Sequence, residues 1–528
     1  MSRRQAARVI AKAIPACMLA ALLGVTPAAP AGAARPKENQ PMKSTSKPVV
    51  GETLRTSLLP VPSSPLVAFR IQYRSGSIND PPGKEGLNAL TAMIIGQGGT
   101  KELTYREVTD RLYPMAATIG AQADREVTTF IGSVHRDHLK PYYELLSGVL
   151  LRPRFDESDF KRSRDDLIAG IETNLRGNDD ESLGKAALNL MMYDRHPYKQ
   201  LDTGTVQGLR SITLDDVKAH YRRYYTRGNV VLAVSGGYPD ALIESLKKDF
   251  ASLPAGAPPL LKLPKPRSLQ ATEVLFVEKA APATAISIGC PIGVTRSDRD
   301  FYALMVANSY LGEHRTFNGR LMNKLRGERG LNYGDYSYIE SFIQDGGSNF
   351  PLPNTPRRQQ FFSIWIRPVA HSNALFALRQ AVRELKMLVD VGLSPQDFEA
   401  SRKFVLNYSR LWTQNLSRRL GYQMDSEFYG TGFLIDRIQE ELPRLKVEDV
   451  NAAVKRHLQA ANLAVAIVTE NAAGMRDALL SGRPTPITYQ TPTTDEALLK
   501  EDKEIESFPL PVNRERMRIV KAQDLFEK

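Results

Sequence analysis

The sequence predicts an α+β protein made of two homologous domains, each a mixed β-sheet packed with helices. Three observations carry this. First, "TLDDVKAHYRRYYTRGNVVLAV" (213–234) aligns without a gap to "KVEDVNAAVKRHLQAANLAVAI" (446–467). Asp216, Val217, Ala219, Arg223, Asn229 and Ala233 face identical residues Asp449, Val450, Ala452, Arg456, Asn462 and Ala466. Both copies read as a capped amphipathic helix, an Asn, then an apolar strand. Second, "PLVAFRIQYRSGS" (65–77) and "TAISIGCPIGVT" (284–295) are both apolar strands leading into a helix. Third, "LPAGAPPLLKLPKPRS" (253–268) is Pro-rich, hence extended, and lies between the repeats.

The chain organises in order. "MSRRQAARVIAK" is basic, the following stretch is apolar, and Ala31-Gly32-Ala33 is a small-residue cleavage site. That pattern predicts a signal peptide over 1–33 and export, in a bacterium to the periplasm. The spacing after Arg3-Arg4 favours the ordinary secretory route over the twin-arginine one, and the surroundings of Cys17 make a poor lipoprotein signal. A flexible segment (34–49), a first domain (50–252), a linker (253–270), a second domain (271–480) and a polar tail (481–528) follow. The tail's helical start and mixed charge predict that it docks on the body or on a partner.

The chain has 528 residues, too many for one core, and ordinary globular composition. Its net charge is +12, with no run of Lys/Arg interleaved with aromatics. Nucleic-acid binding is therefore not expected. No stretch after the signal is apolar for the ~18 residues a membrane span needs. Beyond Cys17 the only cysteine is Cys290, so there is no internal disulfide and no cysteine metal site, and Cys290 reads as a buried small hydrophobe.

The stretch "GSINDPPGKEGLNALTAMIIGQGGT" (76–100) reads as a strand end, a Pro/Gly turn and a helix that closes at Gly96, Gly98 and Gly99. With "DRHPYKQLDTGTVQGLRSITLDDVKAHYRRYYTRGNVVLAVSG" and "NGRLMNKLRGERGLNYGDYSY", it resembles the pitrilysin/insulinase family of zinc metallopeptidases. The likeness is greatest to the mitochondrial-processing-peptidase-like members built from two-domain subunits. Members carry His-x-x-Glu-His on this helix: two His one turn apart bind Zn²⁺, and the Glu is general base on the bound water. Here the positions hold Ala89, Ala92 and Met93, none of which binds zinc or accepts a proton. The resemblance puts Glu172 at the remaining ligand position, where it reads as a surface helical Glu. It implies that this chain binds no zinc and that a zinc-bearing partner subunit would hold the metal.

The resemblance also aligns Arg326 and Tyr333, in "LRGERGLNY", with an Arg and a Tyr that reach substrate. An Arg fork can hold a peptide carbonyl or carboxylate, and a Tyr can donate to an oxyanion. The family's Asn-Ala-x-Thr stretch, which lines the substrate strand, reads Gly120-Ala121-Gln122-Ala123. The segment "IESFIQDGGSNFPLPNTPRRQQ" (339–360) reads as an exposed excursion, a partner contact or an insertion.

Of the seven His, only His135 and His138 are close in sequence, and they read as solvated groups at a helix start. His196 lies in the His-Pro-Tyr turn, His220 and His457 lie in the matched helices at positions the repeat does not share, and His314 and His371 read as loop residues. The favoured expectation is a non-catalytic subunit of an exported zinc peptidase that helps bind peptides. The alternative is a stand-alone pseudopeptidase that binds peptides or scaffolds the cell envelope. An active metalloendopeptidase would need three ligands and a base, and only Glu172 is in place.

Overall fold

The computed structural model describes residues 54–344 and 346–528. The predicted signal peptide (1–33) and flexible segment (34–49) lie outside the described residues.

Two mixed sheets organise the chain. The first uses β1 (Arg55–Pro60), β2 (Leu66–Tyr73), β3 (Thr118–Ala123), β4 (Thr128–His135) and β5 (Val230–Gly236), in the order β1-β5-β2-β4-β3. The second uses β6 (Thr272–Glu278), β7 (Thr284–Ile292), β8 (Asp335–Tyr338), β9 (Gln360–Val369), β10 (Ala464–Thr469) and β11 (Val512–Lys521), in the order β11-β6-β10-β7-β9-β8. Without β11 the two orders correspond strand for strand. β5 runs parallel to β1 and antiparallel to β2, and β10 runs parallel to β6 and antiparallel to β7. The repeated segment is the reason. Helices Leu214–Tyr224 and Val447–His457 each open on a backbone N–H held by an acid three residues on: Thr213 by Asp216 at 2.8 Å, Lys446 by Asp449 at 2.9 Å. Each then feeds a fully buried interior strand of its sheet.

The halves exchange helices. Helix Asp180–Met192, from the first half, packs on β6, β7, β9 and β10, and its Leu183, Leu188 and Met191 belong to the second sheet's core. Helix Leu416–Tyr429, from the second half, packs on β1, β2 and β5, where Leu420 and Met424 meet Val231 and Ala233. Separating the halves would expose an apolar face on each sheet. The described residues accordingly form one compact unit.

The loop 339–360 corrects an expectation. Its second half is not an exposed excursion, because Pro353, Asn354, Thr355, Pro356 and Arg357 are all buried. Pro and Gly prevent a regular ladder but do not force exposure. Here side chains satisfy the backbone instead. The Asp425 carboxylate accepts from Asn354 N at 3.0 Å, and Tyr429 Oη accepts from Arg357 N at 2.8 Å. The Asn354 amide oxygen accepts from Arg70 Nη1 of β2 at 2.6 Å. Arg357 pairs with Asp124 at the β3–β4 turn, and Arg358 pairs with Glu126 at 3.0 Å.

The tail docks on the body. Helix Glu496–Glu506 packs on helix Ala374–Asp390, and β11 extends the second sheet beside β6. Arg329, with a fully buried side chain, holds Asp502 at 2.8 Å and Glu501 at 2.9 Å. The chain end returns to the first half, where Phe526 O accepts from Val206 N at 3.1 Å. Cys290 lies buried in β7. No helix among the described residues is long and apolar enough to cross a membrane.

Candidate functional site

The helix that aligns with the zinc-binding helix of the resembled family is Leu87–Gln97. The buried Asp80 carboxyl anchors its start, accepting from Gly86 N at 2.8 Å and Asn88 N at 2.7 Å, and burial pushes its pKa up to about 7. Gly86 and Gly204 meet closely here with φ of 106° and 93°, and a Cβ on Gly204 would sit 2.4 Å from the Gly86 Cα. Only glycine fits both demands. Behind the helix is a buried polar cluster. Asn88 Oδ1 accepts from Ser75 Oγ at 2.7 Å and lies 3.3 Å from His220 Nε2. Burial, then Arg223, lowers the His220 pKa to about 3, so the ring is neutral.

Ala89 and Ala92 are buried on this helix, and Met93 is partly buried. Positions 89 and 93 are one turn apart on one face, but a methyl and a thioether cannot replace two imidazoles on zinc. Glu172 sits on the segment Gly170–Asn178, exposed, and bonds Arg210 Nη2 at 3.1 Å. His135 ends β4, where its Nδ1 accepts from Asp137 N at 3.3 Å, and His138 precedes helix Leu139–Leu151. Among the described residues no three His, Cys, Asp or Glu are grouped to hold a metal ion. His314 follows helix Arg299–Gly312 but is buried, its Nδ1 2.6 Å from the Tyr338 hydroxyl. His196 is buried too, and its Nδ1 accepts from Tyr198 N at 3.0 Å.

Arg326 lies in the helical segment Met322–Gly327, and Tyr333 lies in the irregular stretch that leads into β8. The Arg326 guanidinium packs over Phe317, 5.2 Å from the ring centroid, and Tyr333 is 79% exposed. Among the described residues no ion pair, hydrogen bond or shared cavity joins either to Ala89, Ala92, Met93 or Glu172.

The edge strand β3 carries Gly120-Ala121-Gln122-Ala123. Gln122 Nε2 donates to both Pro353 O and Asn354 O at 3.0 Å, so the buried half of loop 339–360 covers the end of this edge. Beside it is a cavity of about 600 Å³ between the β3–β4 turn, helix Asp180–Met192, β9, residues 341–344 and Gly346. Lys185 Nζ lies 3.4 Å from the Trp365 ring centroid and 2.7 Å from Glu181, which also holds Arg367 at 3.1 Å. At the start of β8, Asp335 is fully buried and its pKa is raised to about 8 by desolvation. Sequence reasoning missed Lys185, Trp365 and Asp335. No local spacing marks them: Lys185 of the first half meets Trp365 of the second only through the exchanged helix, and the burial of Asp335 depends on the packing of the second sheet.

Fold and site together define a peptidase-like scaffold of two duplicated domains whose helix lacks metal-binding side chains. The chain belongs to the insulinase (peptidase M16) family. Residues 59–196 match the description "Insulinase (Peptidase family M16)" and residues 211–404 match "Peptidase M16 inactive domain", together more than half the chain. It is 24% identical over 408 residues, 76% of this chain and 93% of the relative, to a Bacillus subtilis protein named uncharacterized zinc protease YmxG. It is 22% identical over 409 residues, 77% of this chain and 89% of the relative, to the Helicobacter pylori protein named non-peptidase homolog YmxG. A solved peptidase M16 inactive domain from Pseudomonas fluorescens shares the fold, with TM-score 0.68 and 22% identity over 79% of this chain and 95% of that one.

Proposed function

We propose that this chain is an exported, non-catalytic M16 subunit that pairs with a zinc-bearing family member and contributes peptide-binding surface. The observation that carries the reading is the helix Leu87–Gln97, where Ala89, Ala92 and Met93 leave neither zinc ligand nor base while the surrounding fold is kept. Arg326 and Tyr333 support the pairing. Neither side chain has an ion pair or hydrogen bond among the described residues, so a guanidinium fork and a phenol remain available to a peptide held by a second subunit. The basic, apolar and small-residue pattern of 1–33 supports export.

The test is co-expression with a zinc-bearing M16 protein of the same cell, followed by size-exclusion chromatography and peptide-cleavage assays. A complex whose kcat/KM falls at least about tenfold with Arg326→Ala or Tyr333→Phe is expected. Absence of any complex refutes pairing, and unchanged cleavage in both variants refutes the residue roles.

One observation favours a second reading, a stand-alone scaffold: Gln122 and loop 339–360 cover the end of the β3 edge from within. That reading predicts that Arg326→Ala leaves every binding partner in place.

A further inference from the structure

The Pro-rich segment 253–268 does more than join the halves. Arg227 N donates to Pro254 O and Gly228 N to Gly256 O, both at 2.9 Å, and Arg358 Nη1 donates to Leu261 O at 2.7 Å. Held this way, residues 257–261 wall a cavity of about 460 Å³. Its other sides are the start of β1, the end of β2, Glu126 and the last turn of helix Leu416–Tyr429.

Three arginines line the cavity, Arg55, Arg74 and Arg358, against one carboxylate, Glu126. Glu126 is already held by Arg358 and by the Tyr198 hydroxyl. Among the described residues neither the Arg55 nor the Arg74 guanidinium has an ion pair or hydrogen bond, and Arg358 Nη2 is buried without a partner. Glu427, whose charge acts on Arg55, is bonded to Ser57 Oγ at 2.7 Å and to the Gln423 amide. Burial first, and then Arg74, lowers the Arg55 pKa to about 10. The remaining wall is mixed: Pro258, Leu260, Leu261 and Phe428 give it an apolar side, beside the neutral polar groups of Asn79, Asn229, Thr295 and Ser297.

Cations crowded in a low-dielectric cleft repel, and an anion between them removes the repulsion and fills the open donors. The volume is that of a small-molecule site. We propose that this cavity binds an organic anion, a carboxylate carried on an apolar group. The arginines surround the carboxylate, and Pro258, Leu260 and Phe428 surround the apolar part. A fatty-acid-like carboxylate and the C-terminus of a short apolar peptide share this chemistry. The inference does not depend on pairing with a zinc-bearing subunit.

Isothermal titration of the full chain tests it with four probes: sodium octanoate, acetyl-Ala-Leu-Phe as the free acid, the same peptide as its amide, and inorganic phosphate. One site per chain is expected for octanoate or the free-acid peptide, and the tighter of the two names the source. Arg55→Gln and Arg74→Gln should each weaken that probe at least about tenfold, and Leu260→Ser should weaken it severalfold. Leu260 is 67% exposed and the two arginines have no partner among the described residues, so folding should hold, with unchanged melting temperature as the control. The proposal is overturned by no carboxylate binding, by an amide that binds as well as the acid, by phosphate as tight as octanoate, or by variants that bind like wild type.

Discussion

Arg357, from the loop before β9, pairs with Asp124 at the β3–β4 turn, and both side chains are almost fully buried. The pair bridges the two halves of the chain. Removing one partner leaves the other charged and dry. Arg357→Ala is therefore expected to destabilise by about 3–5 kcal/mol, read from the urea midpoint. The double change Asp124→Leu/Arg357→Met should recover much of that loss, because it removes both charges of the pair and leaves neither without its partner. A single-variant loss near zero would show that the pair is solvated in solution.

Much of the frame was legible because duplication writes itself twice. The match of 213–234 to 446–467 correctly placed two capped helices and two interior strands, and the equivalent sheet orders follow from it. The loop 339–360 misled because Pro and Gly report the lack of a ladder, whereas its burial depends on distant Arg70, Asp124 and Asp425. β11 was hidden because its outer edge carries Arg514, Glu515, Arg516 and Arg518, charges that keep an exposed edge from pairing. The metal-binding positions were the easiest to read, since what Ala89, Ala92 and Met93 cannot do is a property of the side chains alone. The cavity of Arg55, Arg74 and Arg358 could not be read, because its walls come from eight separate stretches of the chain.

Without imidazoles at 89 and 93, elemental mass spectrometry of the purified chain should find zinc far below one per polypeptide, and EDTA should leave the melting temperature unchanged. Stoichiometric zinc would contradict this, and would direct mutation to His135, His138 and Glu172.

The exchanged helices make the halves interdependent. Residues 50–252 alone would lack Leu420 and Met424 over Val231 and Ala233, and would expose Leu183, Leu188 and Met191. That fragment is expected to aggregate or stay unfolded by circular dichroism, and to fold when co-expressed with 253–528. A sharp thermal transition for the isolated fragment would refute the dependence.

The tail is expected to contribute to stability through Arg329. Asp502→Ala removes the most buried of the three acids, Glu328, Glu501 and Asp502, that hold a fully buried guanidinium, so a loss of about 3 kcal/mol is expected. Asp502→Asn, which keeps an acceptor, should lose less. Equal losses would mean that packing of helix Glu496–Glu506, and not charge, sets the effect.

His220 gives stability a pH dependence whose sign can be stated. Its pKa is held near 3 in the fold, chiefly by burial, against about 6.5 in the unfolded chain. Between those values the unfolded chain takes up a proton that the native one refuses, so its contribution to stability falls with falling pH, by about 1.4 kcal/mol per unit. At pH 7.5, His220→Gln should be less stable than wild type by about 1–2 kcal/mol, through loss of the Asn88 and Ser75 contacts. At pH 5 the wild type carries the cost of keeping the ring neutral and the variant does not. The gap should therefore shrink by about 2 kcal/mol and close or reverse. Urea titrations of both proteins at the two pH values decide it. A gap that widens at pH 5 would mean that the fold accepts the imidazolium, and that the cluster of Ser75, Asn88 and His220 is wetter than its burial implies.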